Sequence, residues 1–193
     1  MTRYAQVAYT ESVRQAQRRH ASPVADRHPT GHPDHRPDPL TVFEAAFIGE
    51  SDGFYLGSVG DTGWPYIQYR GGPAGFVHVL DTHTLAYADV RGNRQYITTG
   101  NIGADDRVAL FFMDYASRAR LKLFGHATAH DPTQNPDLAA RLGVIRTPGS
   151  VERLIVIDVE GFNWNCSQHI TPRWTEAQLA DTMPRPDEAT EPA

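Results

Sequence analysis

The sequence predicts a mainly β protein, a small antiparallel barrel of about six short strands with helices only at its margins. Three observations predict it. Short apolar or alternating runs follow one another between residues 54 and 159. Clusters of Gly, Pro, Asn and Asp separate most of them, as turns require. The runs are consecutive rather than alternating with helical stretches, which does not fit βαβ units and a parallel sheet.

Taken in order, Thr10 can cap a short helix over 10–19 whose apolar face is thin. Residues 20–39 turn rich in His, Pro, Asp and Arg, with His20, His28, His32 and His35 among prolines at 23, 29, 33, 37 and 39. Such a segment buries too little apolar surface to offset its ordering entropy, and it reads as a solvated linker. The histidine spacings fit no helix face, and no thiolate lies nearby to complete a tetrahedral set, so no metal site is assigned. Globular sequence begins at Leu40. The expected organisation is a helix and linker over 1–39, a barrel domain over 40–174, and a disordered acidic, Pro-rich tail over 175–193.

Leu40, Phe43, Ala46 and Phe47 share helical spacing and predict a helix over 40–49, ended by Ser51-Asp52-Gly53. Strands are expected over 54–59, 66–70, 76–80 and 85–89, the last two around the polar turn at 81–83. A short helix is expected over 93–101. The run 108–114 is apolar throughout and reads as a strand buried on both faces. Residues 120–127 alternate, with Leu121, Leu123 and Gly125 against Arg120, Lys122, Phe124 and His126. A helix over 136–142 and a strand over 154–159 complete the set. No internal repeat is present.

A net charge of −5 and a pI near 6.0 give no basic footprint and argue against a nucleic-acid partner. Cys166 is the only cysteine, so no internal disulfide can form; it reads as a plain buried residue rather than a nucleophile. The first 19 residues hold no apolar signal core, and nowhere do eighteen apolar residues run together. A soluble, cytoplasmic protein without a membrane segment is expected. Dinucleotide, Walker and zinc-protease motifs are absent.

Chemistry concentrates between residues 63 and 101. Aromatic, glycine and guanidinium groups gather there, a set that suits a ligand with a flat ring at one end and a phosphate at the other. Arg91, Asn93 and Arg94 precede the expected helix, where forked donors and a helix N-terminus favour a phosphate. Gln68 and Arg70, two apart on one strand, share a face and can meet the polar edge of a flavin. Gly71 and the following Gly72-Pro73 allow backbone to approach a ring. The reading is a flavin mononucleotide (FMN) site, with no metal and no assigned general acid or base.

The stretches Gly63-Trp64-Pro65-Tyr66-Ile67-Gln68-Tyr69-Arg70-Gly71-Gly72-Pro73, Ala88-Asp89-Val90-Arg91-Gly92-Asn93-Arg94, Asn101-Ile102, 106–112, 120–125 and Asn163-Trp164-Asn165-Cys166 occur in one order. In that order they resemble the pyridoxamine 5′-phosphate oxidase-like family of FMN-binding split barrels, over roughly residues 40–173. The resemblance implies a six-stranded antiparallel Greek-key split barrel and a homodimer holding FMN at the subunit interface. It places Gln68, Tyr69 and Arg70 along the flavin edge, Ala88, Asp89 and Val90 under the ribityl chain, and Asn93 with Arg94 on the phosphate. Arg120, Trp164 and Asn165 come from the other subunit. It implies a flavin-dependent oxidoreductase passing two electrons to a small molecule or oxygen. The alternative is a non-catalytic carrier of flavin, haem or deazaflavin on the same barrel. Pro73 stands where the vitamin B6 oxidases carry a basic residue for the substrate phosphate. Their C-terminal Arg-x-His-x-Arg is absent, since 170–173 supplies only Arg173 beyond His169. Both departures argue against pyridoxamine 5′-phosphate oxidation.

Overall fold

The structure, a computed structural model, describes residues 2–24, 35–143 and 149–182. Among these residues seven strands form a single antiparallel sheet, where about six were expected: β1 (Gly53–Val59), β2 (Pro65–Gly71), β3 (Val77–Val79), β4 (Thr84–Val90), β5 (Arg107–Asp114), β6 (Ala119–His130) and β7 (Val151–Trp164). Their order is β2-β1-β5-β6-β7-β4-β3. β3 holds only three residues and pairs only with Leu85–Tyr87 of β4, which makes it easy to undercount. The sheet curls into a barrel that stays open between its edge strands, β2 and β3.

Alternation along the strands fills the barrel. Phe54 and Leu56 of β1, Leu110 and Phe112 of β5, Leu121 and Leu123 of β6, and Ile157 and Val159 of β7 are all at most 2% exposed. Each such side chain stabilises the fold by roughly 1.5–3 kcal/mol. Phe54 stacks on Phe112 at 4.9 Å between centroids and meets Tyr87 edge-on at 5.5 Å. β5 corrects its expectation. Val108, Leu110 and Phe112 point inward, while Ala109 is exposed and Phe111 and Met113 are only partly covered. Apolar composition on the outer side does not amount to burial within one chain.

Among the described residues six helices, α1 (Arg3–Ala8), α2 (Glu11–Arg19), α3 (Val42–Glu50), α4 (Ile97–Ala104), α5 (Pro136–Arg141) and α6 (Glu176–Thr182), lie around the sheet. Thr10 caps α2 as expected. In α3, Thr41 and Glu44 form a capping box, and the Glu44 carboxylate also accepts from Trp164 Nε1 at 2.6 Å. These bonds outweigh burial and hold the Glu44 pKa below the usual carboxylate value. Glu44→Ala should therefore cost about 1–3 kcal/mol in urea unfolding. The wild-type advantage is complete above the ordinary carboxylate pKa and disappears as pH falls through the lowered folded value.

α1 and α6 go beyond the expected elements. Thr2 caps α1, and Asp38 accepts from the backbone N–H groups of Arg3 (2.7 Å) and Tyr4 (2.9 Å). Tyr4 stacks on Phe124 at 4.9 Å. Gly161 makes this docking possible, because a Cβ there would collide with the Tyr4 backbone. In the stretch expected to trail off, Thr175 and Gln178 exchange side-chain-to-backbone bonds of 3.2 and 2.9 Å and start α6. Residues 25–34 of the expected linker and 183–193 of the expected tail lie outside the described residues. Cys166 is exposed, not buried. It lies beyond the end of β7, past the last strand pairing that would have covered it.

Candidate functional site

β2 and β4 approach each other across the split without backbone pairing. Gln68 and Arg70 lie on the inward face of β2, and Tyr87 and Asp89 on the inward face of β4. Asp89 is 4% exposed and anchors the junction. Its Oδ1 accepts from Arg70 Nη1 at 2.8 Å, and its Oδ2 accepts from Arg153 Nε at 3.0 Å and Nη2 at 2.9 Å. One carboxylate thus holds two guanidinium groups from two strands, closing the gap with charge where the ladder is missing. Arg153 was not singled out from the sequence. The available signal is its phase: it shares a strand face with buried Ile155 and Ile157, and a cation on that face requires a buried counter-charge.

Residues 91–96 make a turn, and α4 begins at Ile97, later than expected. Arg94 and Tyr96 adopt left-handed φ of 63° and 54°, which stops the helix from extending back to Asn93. Asn93 Oδ1 accepts from the Gln95 backbone at 3.2 Å. The N-terminus of α4 has no side-chain cap. Next to it, Thr98 donates to Gln68 Oε1 at 3.0 Å, and Asn101 donates to Ser58 at 3.0 Å, fixing the helix to β2 and β1. Glu152 accepts from Arg91 at 2.7 Å and from the Tyr96 hydroxyl at 3.2 Å, and Arg91 with Tyr96 holds its pKa down. Arg153 lies 5.0 Å from the Tyr96 ring centre. A pocket of about 210 Å³ opens here, lined by Gln68, Arg70, Asp89, Asn93, Arg94 and Thr98 among others.

A larger cavity, about 610 Å³, adjoins it through Arg70, Asp89, Val90 and Gly92. Gly71, Phe76, His78, Tyr87 and Ala88 also line it. β3 begins at Val77, opposite Tyr87, so Ala88–Val90 have no β3 partner on the edge toward this cavity.

The expected site residues fall into two groups. Gln68, Arg70, Gly71, Ala88, Asp89, Val90, Asn93 and Arg94 meet around the two cavities. Tyr69 borders them from β2, but its ring points outward against Tyr55, 5.4 Å between centroids. The second group, Arg120, Trp164 and Asn165, lies together elsewhere: the Asn165 N–H donates to the Arg120 carbonyl at 3.2 Å, and Trp164 pairs with Leu121. On β7, Trp164 is at the opposite end from Arg153. Arg173 stacks over Tyr115, 5.0 Å from the ring centre, and lines neither cavity. Among the described residues, no cluster of His, Cys, Asp and Glu could hold a metal, and no helix is long and apolar enough to cross a membrane.

A sequence profile of the pyridoxamine 5′-phosphate oxidase family matches residues 43–160. Among curated proteins none matches. Of the solved structures, HupZ of Group A Streptococcus is similar at 17% identity and a TM-score of 0.54, covering 70% of this chain and 99% of its own. A candidate pyridoxamine 5′-phosphate oxidase from Lactobacillus delbrueckii is similar at 21% identity and a TM-score of 0.50, covering 65% of this chain and 93% of its own. At such identities these likenesses speak to the split-barrel fold alone.

Proposed function

Because the chain belongs to the pyridoxamine 5′-phosphate oxidase family, we propose that it is a homodimeric flavoprotein oxidoreductase. It holds FMN at the subunit interface and exchanges two electrons with a small organic molecule or oxygen. The observation that carries this reading is the meeting of an uncapped helix N-terminus with an excess of guanidinium at the smaller pocket. Arg70, Arg94 and Arg153 line it against one carboxylate, Asp89, while Arg91 and Glu152 pair with each other beside it. A phosphomonoester brings close to two negative charges and acceptor oxygens for the free N–H groups.

In this reading Asn93, Arg94 and the start of α4 bind the phosphate. Ala88, Asp89 and Val90 run under the ribityl chain, with Asp89 acting mainly by holding Arg70 and Arg153 in place. Gln68, Tyr69, Arg70 and Gly71 border the ring edge, and Thr98 fixes the Gln68 amide so that its NH₂ faces the pocket. Bound there, the flavin supplies the two-electron chemistry. The partner's Arg120, Trp164 and Asn165 close the site, which accounts for their separation from the rest within one chain.

The outer face of β1 and β2 supports a second copy as the cover. Ile67 is 68% exposed and Trp64 77% exposed, beside Tyr55, Val59 and Tyr69. Ile67→Glu would place an unpaired charge in that contact and should weaken the dimer by about 3 kcal/mol or more. The expected result in sedimentation is a monomer that no longer retains FMN. A variant that stays dimeric removes this face from the interface. A wild-type protein that is colourless, monomeric and indifferent to added FMN removes the flavoprotein reading.

A further inference from the structure

We propose that Glu44 is a positioning residue of the flavin site: it takes up the single N–H of Trp164 and holds the indole so that this side chain offers the second subunit's flavin a ring and no hydrogen bond. The proposal rests on the flavoprotein reading, and adds to it a residue that lines neither cavity.

Tryptophan has one polar side-chain atom, the indole nitrogen, which donates and cannot accept. In Trp164 that donor is spent inside the chain, on Glu44 Oε1 at 2.6 Å. The capping box of α3 does not require this bond. It uses the other oxygen, Oε2, which accepts from the Thr41 backbone N–H at 2.9 Å and from the Thr41 hydroxyl. Oε1 is thus left to the indole. Glu44 is 5% exposed, so water competes little for either oxygen. Its helix is anchored by Ile48, which is fully buried in the core, so the acceptor is itself fixed.

Two further contacts fasten Trp164. Phe47 of the same helix meets the indole edge-on, 4.8 Å between centroids at 69°. Along the backbone, Trp164 pairs with Leu121, and the Asn165 N–H donates to the Arg120 carbonyl. Yet Trp164 remains 39% exposed. A side chain serving only the core would be covered; this one is tied at its polar atom and along one edge, and presented over the rest. An indole fixed beforehand lowers the ordering cost that a loose one would meet when the subunits close on a ligand.

The test uses the full chain and reads two quantities, solvent exchange of the Trp164 indole N–H by ¹H–¹⁵N NMR and FMN affinity by fluorescence titration. Three tryptophans give three indole signals, and Trp164→Ala identifies the relevant one. That N–H should be protected from exchange without FMN and stay protected with it. Glu44→Ala should expose it and weaken FMN roughly three- to tenfold. In a Trp164→Ala background the same change should add nothing, because Glu44 acts through the indole. Ile48→Val loosens the same helix from the core; it should lower the unfolding midpoint and leave FMN affinity within about twofold. A freely exchanging Trp164 N–H in the wild type, with or without FMN, overturns the proposal and needs no variant to fold. So does unchanged FMN affinity in Glu44→Ala, a loss that adds to that of Trp164→Ala, or an equal loss in Ile48→Val, which would mark a merely structural effect. A wild-type chain that binds no FMN overturns the flavoprotein reading itself, whereas each of the preceding outcomes overturns only the role of Glu44.

Discussion

Replacing Asp89 with alanine should cost the fold about 3–5 kcal/mol, the usual loss when one member of a buried charged cluster is removed. The side chains of Arg70, Asp89 and Arg153 are only 17%, 5% and 19% exposed, so solvent screens them little. Without the carboxylate, two guanidinium groups face each other across the split, and only Arg153 keeps a counter-charge, from Glu152 at 3.1 Å. Urea unfolding would show the loss as a lower midpoint. Adding Arg153→Met to the variant should restore part of it, because the repulsion is removed and the methionine can pack. A cost below about 1 kcal/mol for Asp89→Ala would mean that the edges of the barrel are held by packing instead.

Arg94→Ala should weaken FMN roughly ten- to a hundredfold, the effect of losing a charge-assisted contact to a phosphate. Arg94 is exposed and has no buried partner, so its removal should leave stability almost unchanged. Its left-handed φ of 63° offers a companion test. Arg94→Gly removes the same guanidinium while suiting the backbone better, so the two variants should lose FMN equally while the glycine form is the more stable. Unchanged FMN affinity in both would move the phosphate away from the α4 turn.

Much of the fold was legible because alternation and turn residues act locally. β6 shows this directly: Leu121 and Leu123 turned inward, as their spacing requires. The site was legible as composition but not as geometry. Gln68, Asp89 and Arg94 could be picked out, yet nothing local tells that Asp89 spends both oxygens on arginines. The α4 start was misplaced because left-handed backbone at Arg94 and Tyr96 carries no mark in the residue types, neither being glycine or asparagine. β5 misled in a different way. Its outer Ala109, Phe111 and Met113 are apolar, and a sequence records apolarity without saying which surface covers it. Helix α1 was missed because six residues are too few for propensity to decide. Its partners, Asp38, Phe124 and Glu160, are all distant in the chain.

That distance has a kinetic meaning. The pairing of Arg3 with Glu160 joins residues separated by 157 positions, and the ring of Tyr4 needs Phe124 of a finished β6 to lie against. Loop-closure entropy delays such contacts until the intervening barrel has formed. The first helix is therefore a late arrival in folding, and the natural first departure when the native state opens.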